Sequence, residues 1–169
     1  MEYEQQASGL APQNALYMGE WARLLWESGF AEKAIRVCRA AQKLDPESSR
    51  LRFNSAVMLQ STGDPKSAII DYEKVLKNNS ADMQARLGYA QSLALAGRSQ
   101  DAVSQLDILA GQAKKFPVLL TEVADTALNV DQPRRAKEML KDLVSTGNAR
   151  VLSLLYLSAT RDKDEKLAL

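Results

Sequence analysis

Histidine is absent from this 169-residue chain, and cysteine occurs once, at Cys38. An internal disulfide is therefore excluded, and the zinc sites and general bases that rest on histidine are excluded with it. Charge of one sign is also lacking: 22 basic and 21 acidic side chains leave a formal net charge of +1. Without a global field to attract phosphate backbones or anionic lipid, nucleic acid is not an expected partner. No apolar run approaches the roughly 18 residues needed to span a bilayer, so direct membrane insertion is not expected. The strongest run, residues 151–157, is broken by Ser153 and bounded by Arg150 and Arg161. Met1-Glu2-Tyr3-Glu4 lacks the basic and apolar parts of a secretory signal, and the compartment, cytoplasmic or periplasmic, stays open. What is present is ample for a folded chain: 46% hydrophobic and 25% charged residues.

Small residues recur at a stride of thirty-four, as Ala22, Ala56, Ala90 and Ala124, and again as Ala34, Ala68, Ala102 and Ala136. A third register reads Gly29, Gly63, Gly97 and then Asp131. Self-similarity at this period means units that cannot bury their apolar faces alone and must stack. The full units are residues 15–48, 49–82, 83–116 and 117–150. Residues 1–14 overlay the end of a preceding unit, through Ala7, Leu10, Pro12 and Asn14, and residues 151–169 form a C-terminal helix that caps the array or begins a fifth unit.

Each unit reads as two helices. Apolar residues spaced by three and four make one stripe in the first helix, such as Trp21, Ala22 and Leu25 or Tyr89, Ala90 and Leu93. Second helices repeat the pattern with Ala34, Ile35, Cys38 and Ala41, or Ala68, Ile69, Tyr72 and Val75. An alanine in the stripe lets two backbones approach, while larger neighbours fill the space beside it. The glycine register falls between the helices, where a left-handed residue ends the first one, and Asp131 tolerates that conformation less well. Pro65 and Pro133 suit the first turn of the second helix, with Asp64 as a cap.

Together these residues resemble the tetratricopeptide repeat over nearly the whole chain. Unit one fits best, with Trp21-Ala22, Leu25, Gly29, Ala34, Ala41 and Asp45-Pro46. Departures are Cys38 and Leu106 in place of an aromatic, and Ser80, Lys114 and Asn148 in place of the closing proline. The resemblance implies an all-α fold, an α-solenoid of antiparallel helix pairs wound into a right-handed superhelix, with a concave groove made mainly by the first helices.

Carried over by register, the groove candidates are Arg23, Trp26, Arg50, Phe53, Asn54, Val57, Leu87, Gln91, Glu122 and Asp125. A few apolar anchors among amides and mixed charges suit an extended peptide or a partner helix. Trp26 serves either as an anchor or as packing against the turn at Phe30. Phe53 and Leu87, in equivalent places, are expected to form one wall. In the resemblance Asn54 holds a peptide backbone. Heat-shock co-chaperones of this family clamp a terminal carboxylate with lysine, asparagine, asparagine, lysine and arginine. Here those positions hold Gly19, Arg23, Asn54, Gln84 and Gly88, so the charge-assisted bonds of that clamp are not expected.

Exposed carboxylates such as Glu20, Glu27, Glu122 and Asp125 read as solvated surface, and Cys38 falls on a buried stripe. No catalytic residue, cofactor or metal is expected. The leading function is a non-catalytic protein-protein interaction scaffold, a stretch of a larger repeat protein in a bacterial export, surface-polymer or other assembly. The alternatives are a secretion chaperone of this repeat type and a regulatory or substrate-recruiting arm of an enzyme. Leu155 and Tyr156, too apolar for a solvating cap, suggest self-association through the end face.

Overall fold

Four residues placed thirty-four apart decide where the hairpins turn. Gly29, Gly63 and Gly97 adopt φ of 82°, 84° and 76°, and Asp131 follows at 58°. After each, the next backbone N–H reaches back five residues: Phe30 to Leu25 at 2.9 Å, Asp64 to Leu59 at 2.9 Å, Arg98 to Leu93 at 2.8 Å and Gln132 to Ala127 at 2.9 Å. These are the closing bonds of a left-handed helix stop. Asp131 alone carries a Cβ in that conformation. Asp131→Gly is expected to stabilise the chain by about 0.5–1 kcal/mol, because the left-handed penalty outweighs the extra entropy of an unfolded glycine. Thermal unfolding should show a midpoint about 1–4 °C higher.

In this computed structural model, backbone is described for residues 14–167 and side chains for residues 14–162. The expected remnant of a preceding unit, residues 1–14, lies outside the described residues except for Asn14. Nine α-helices are present among the described residues: α1 Ala15–Glu27, α2 Ala31–Leu44, α3 Ser49–Ser61, α4 Pro65–Asn78, α5 Met83–Leu95, α6 Ser99–Ala113, α7 Pro117–Asn129, α8 Pro133–Leu140 and α9 Ala149–Leu167. The described residues contain no strand, and no helix among them is long and apolar enough to cross a membrane. The architecture is all-α, built from antiparallel helix pairs of the solenoid type.

The chain divides into two units, Met1–Gly88 and Tyr89–Leu169. In the first, α1 packs on α2, α3 on α4, and α2 on α3. Ala22, Ala34, Cys38 and Met58 make a buried cluster, with Leu25, Trp26, Ile35 and Val37 packed against it. In the second unit α7 packs on both α6 and α8, and α9 lies against α8 and α7. Val151, Leu154 and Ser158 are the buried face of α9. Arg161 donates to the Leu128 carbonyl at 2.8 Å, and Arg134 pairs with Asp162 at 2.6 Å, so the charged end of α9 is tied to α7 and α8.

All eight register alanines have 0% exposure. A fourth register appears in the caps of the first helices. Asn14 accepts from Leu16 and Tyr17 N–H, Ser48 from Leu51 N–H, and Asp82 from Ala85 N–H, each satisfying orphan donors at a helix start. Phe116 stands next in that register and supplies no side-chain cap. The second helix of the last pair departs from the sequence reading. It closes as a 3-10 turn, Lys141–Thr146, and ends at Gly147 with φ 65°.

Candidate functional site

The first-helix face of the Met1–Gly88 unit starts from a glycine. A Cβ at Gly19 of α1 would lie 2.5 Å from Leu51 Cδ2 of α3, so only glycine lets Leu51 seat directly on the α1 backbone. Beside this contact opens a notch of about 70 Å³, lined among others by Leu16 and Glu20 of α1, Ser48, and Arg50 and Asn54 of α3. Leu16 is 58% exposed at its edge.

Charge on this face is internally matched. Glu20 accepts from Arg23 Nε at 3.1 Å and also pairs with Arg50, while Arg23 reaches on to Glu27. All four side chains are largely in solvent, so each pair contributes little to stability, about 0–1 kcal/mol. Their effect is to hold Arg23 and Arg50 against carboxylates, and an incoming anion would have to displace Glu20. Asn54 differs. It is half-buried, forms part of the notch wall, and its side-chain amide makes no hydrogen bond among the described residues. Two donors and an acceptor are therefore open, the complement of an extended backbone.

The remaining expected anchors divide by their packing. Phe53 is half-buried and meets Tyr72 edge-on, ring centroids 6.0 Å apart at 76°. Tyr72 is in turn fixed by its hydroxyl, 3.1 Å from Gln60 Oε1. Val57 is half-buried. Trp26 packs on the Ala22–Cys38–Met58 cluster, which favours its structural role over that of an anchor. Leu87, expected to extend the wall begun by Phe53, is only 4% exposed. It sits in a run of four consecutive buried residues, 85–88, and a helix covered on every side at one turn has no face left there for a partner.

In the second unit, Gln91 lies 3.4 Å from Thr126 Oγ1, and Asp125 accepts from Arg150 at 3.1 Å. Glu122 is half-buried. On α9, Leu155 is half-buried, and Tyr156 is 70% exposed with Leu152 at 45% one turn before it. The sequence reading did not single out the Gly19–Leu51 contact that shapes the notch. Its signal is a glycine and a leucine on different helices, a pairing that no local spacing announces.

Cys38 has 0% exposure and donates to the Leu51 carbonyl at 3.4 Å. Burial, and secondarily the charge of Asp71, pushes its thiol up to about 11. The neutral thiol is the inert form. Native protein at about pH 8 is expected to react with a thiol-specific reagent at least about a hundredfold more slowly than urea-unfolded protein. Because the folded thiol ionises later than the unfolded one, this group's contribution to stability is intact below about pH 9 and declines as the pH rises towards about 11. Among the described residues no group of three His, Cys, Asp or Glu converges.

A family model described as tetratricopeptide repeat matches residues 20–82 and 59–115, together more than half of the chain. None of the curated proteins matches it by sequence. Among solved structures, PilW, titled a widely conserved type IV pilus biogenesis factor, superposes with a TM-score of 0.78 at 21% identity, covering 96% of this chain and 76% of that one. A MamA fragment from Desulfovibrio magneticus RS-1 gives a TM-score of 0.75 at 17% identity, covering 91% and 88%. PilF of Pseudomonas aeruginosa gives 0.69 at 21%, covering 89% and 69%. At these identities the likeness is one of fold.

Proposed function

Because the chain belongs to the tetratricopeptide repeat family, whose members are generally protein-protein interaction scaffolds, we propose that it is a non-catalytic scaffold. Its binding face is the α1–α3 side of the Met1–Gly88 unit, and the ligand is an extended peptide or a partner helix. The observation that carries this reading is the open amide of Asn54 beside the Gly19–Leu51 notch. An amide without an internal partner can bond a ligand backbone without first breaking anything, whereas Arg23 and Arg50 must release Glu20. The exposed edge of Leu16 supplies apolar contact beside it.

The setting proposed is a bacterial export, surface-polymer or similar assembly. PilW, a type IV pilus biogenesis factor, is one bearer of the same fold in such a setting, and it is the fold alone that the likeness shares.

The test uses a peptide selected by display against the wild-type protein. Asn54→Ala is expected to weaken its binding about tenfold, the loss of one or two net hydrogen bonds. Its unfolding midpoint should be unchanged, since no intramolecular bond is removed. Equal affinity for the two proteins, read by calorimetric titration, would overturn this assignment.

A further inference from the structure

The opposite side of the same unit carries a second surface of different chemistry. Between α2, α3 and α4 lies an open trough of about 380 Å³, whose lining includes Arg39, Lys43, Arg52, Ile70, Asp71 and Lys74. Arg52 and Asp71 form its buried floor, with side chains only 14% and 12% exposed and 3.4 Å between them. This pair neutralises itself. Arg39, Lys43 and Lys74 are exposed at the rim and form no ion pair among the described residues, in contrast to Arg23 and Arg50 of the same unit. Ile70 stands among them 54% exposed.

We propose that this trough docks an acidic segment of a partner protein, with carboxylates meeting Arg39, Lys43 and Lys74 and an apolar side chain covering Ile70. Charge complementarity selects the occupant. Three cations are held around one depression by helices that pack on one another, so an acidic ligand gains three pairings without ordering the chain. A phosphate polymer fits less well. It would set ionic groups against the exposed Ile70, where an acidic peptide can place an apolar side chain. The trough is lined by α2, α4 and the Arg52 side of α3 and shares no lining residue with the Asn54 notch, so either proposal can fail alone.

The probe is a fluorescent peptide Glu-Glu-Leu-Asp-Glu-Leu-Asp-Glu, followed by anisotropy with the full chain. Wild type is expected to bind it, about tenfold or more weakly at about 300 mM salt than at about 50 mM. The double variant Lys43→Glu, Lys74→Glu should lose at least about tenfold in affinity, and Ile70→Ser about threefold. An isosteric Gln/Asn version of the peptide should bind the wild type about tenfold more weakly. All three positions are exposed, and circular dichroism melting confirms that the variants fold. Asn54→Ala should bind the acidic peptide as wild type does, which separates this surface from the first-helix face. No binding by wild type, or equal binding by the charge-reversed variant, would overturn the proposal. So would displacement of the peptide by a single-stranded oligonucleotide or phosphatidylserine vesicles that bind the same residues more tightly.

Discussion

Ala56→Leu is expected to destabilise the protein by about 3 kcal/mol and to lower its unfolding midpoint by about 6–12 °C. Ala56 has 0% exposure and lies on α3, which packs against α4 within the hairpin and against α2 of the one before. The extra carbons of leucine have nowhere to go unless a helix moves, and native interiors leave few voids larger than a water molecule. Leucine is also a good helix former, so propensity cannot account for the loss. The same substitution at exposed Ala81 should change stability by no more than about 0.5 kcal/mol. In a stacked array the damage is local first, because each unit is held mainly by its neighbours. Amide exchange in the variant should therefore accelerate in α2, α3 and α4 before it does in α7 to α9.

Gly88→Ala should cost about 2–3 kcal/mol in urea unfolding, although glycine to alanine inside a helix ordinarily gains about 1 kcal/mol. The reversal has one cause. A Cβ at this position would overlap Cζ and Oη of Tyr72, a ring only 2% exposed, braced by Phe53 and anchored to Gln60. Two glycines provide controls. At Gly111 on α6 a Cβ meets nothing within 4 Å, and alanine should stabilise by up to about 1 kcal/mol. At Gly19 it meets the methyl end of Leu51, which can rotate aside, so the penalty and the helix gain should nearly cancel. Three substitutions of one kind thus differ in sign according to what each added methyl touches.

Much of this structure is legible in the sequence, and for a physical reason. A repeat folds by contacts within itself and with its neighbours, so each constraint is written once per unit. Ala22 and Ala34 must be small wherever helices cross closely, and Gly29 must be left-handed wherever a hairpin turns. Even the exception was legible: Asp131 occupies the glycine position and takes the glycine conformation, φ 58°. The site is less legible because it depends on which side chains satisfy one another. Arg23 and Arg50 both meet Glu20; the Arg23 pair, three residues apart on α1, is readable from spacing, whereas the Arg50 pair joins α3 to α1, whose relative positions the sequence does not state. Leu87 shares the register of Phe53, yet α5 is covered where α3 is half-open. Arg39 and Lys43 lie four apart on α2, but Lys74 joins them only once α4 has packed. Asn54 carries over from the family pattern with its open amide, and the notch beside it becomes visible only when Gly19 meets Leu51.

A backbone titration of isotope-labelled protein with the display-selected peptide tests the binding face most directly. The expected result is that shifts concentrate at Leu16, Gly19, Leu51 and Asn54, and fade in Asn54→Ala while the protein stays folded. Shifts confined to other surfaces, such as the exposed side of α9 around Tyr156, would contradict the assignment of binding to the first-helix face.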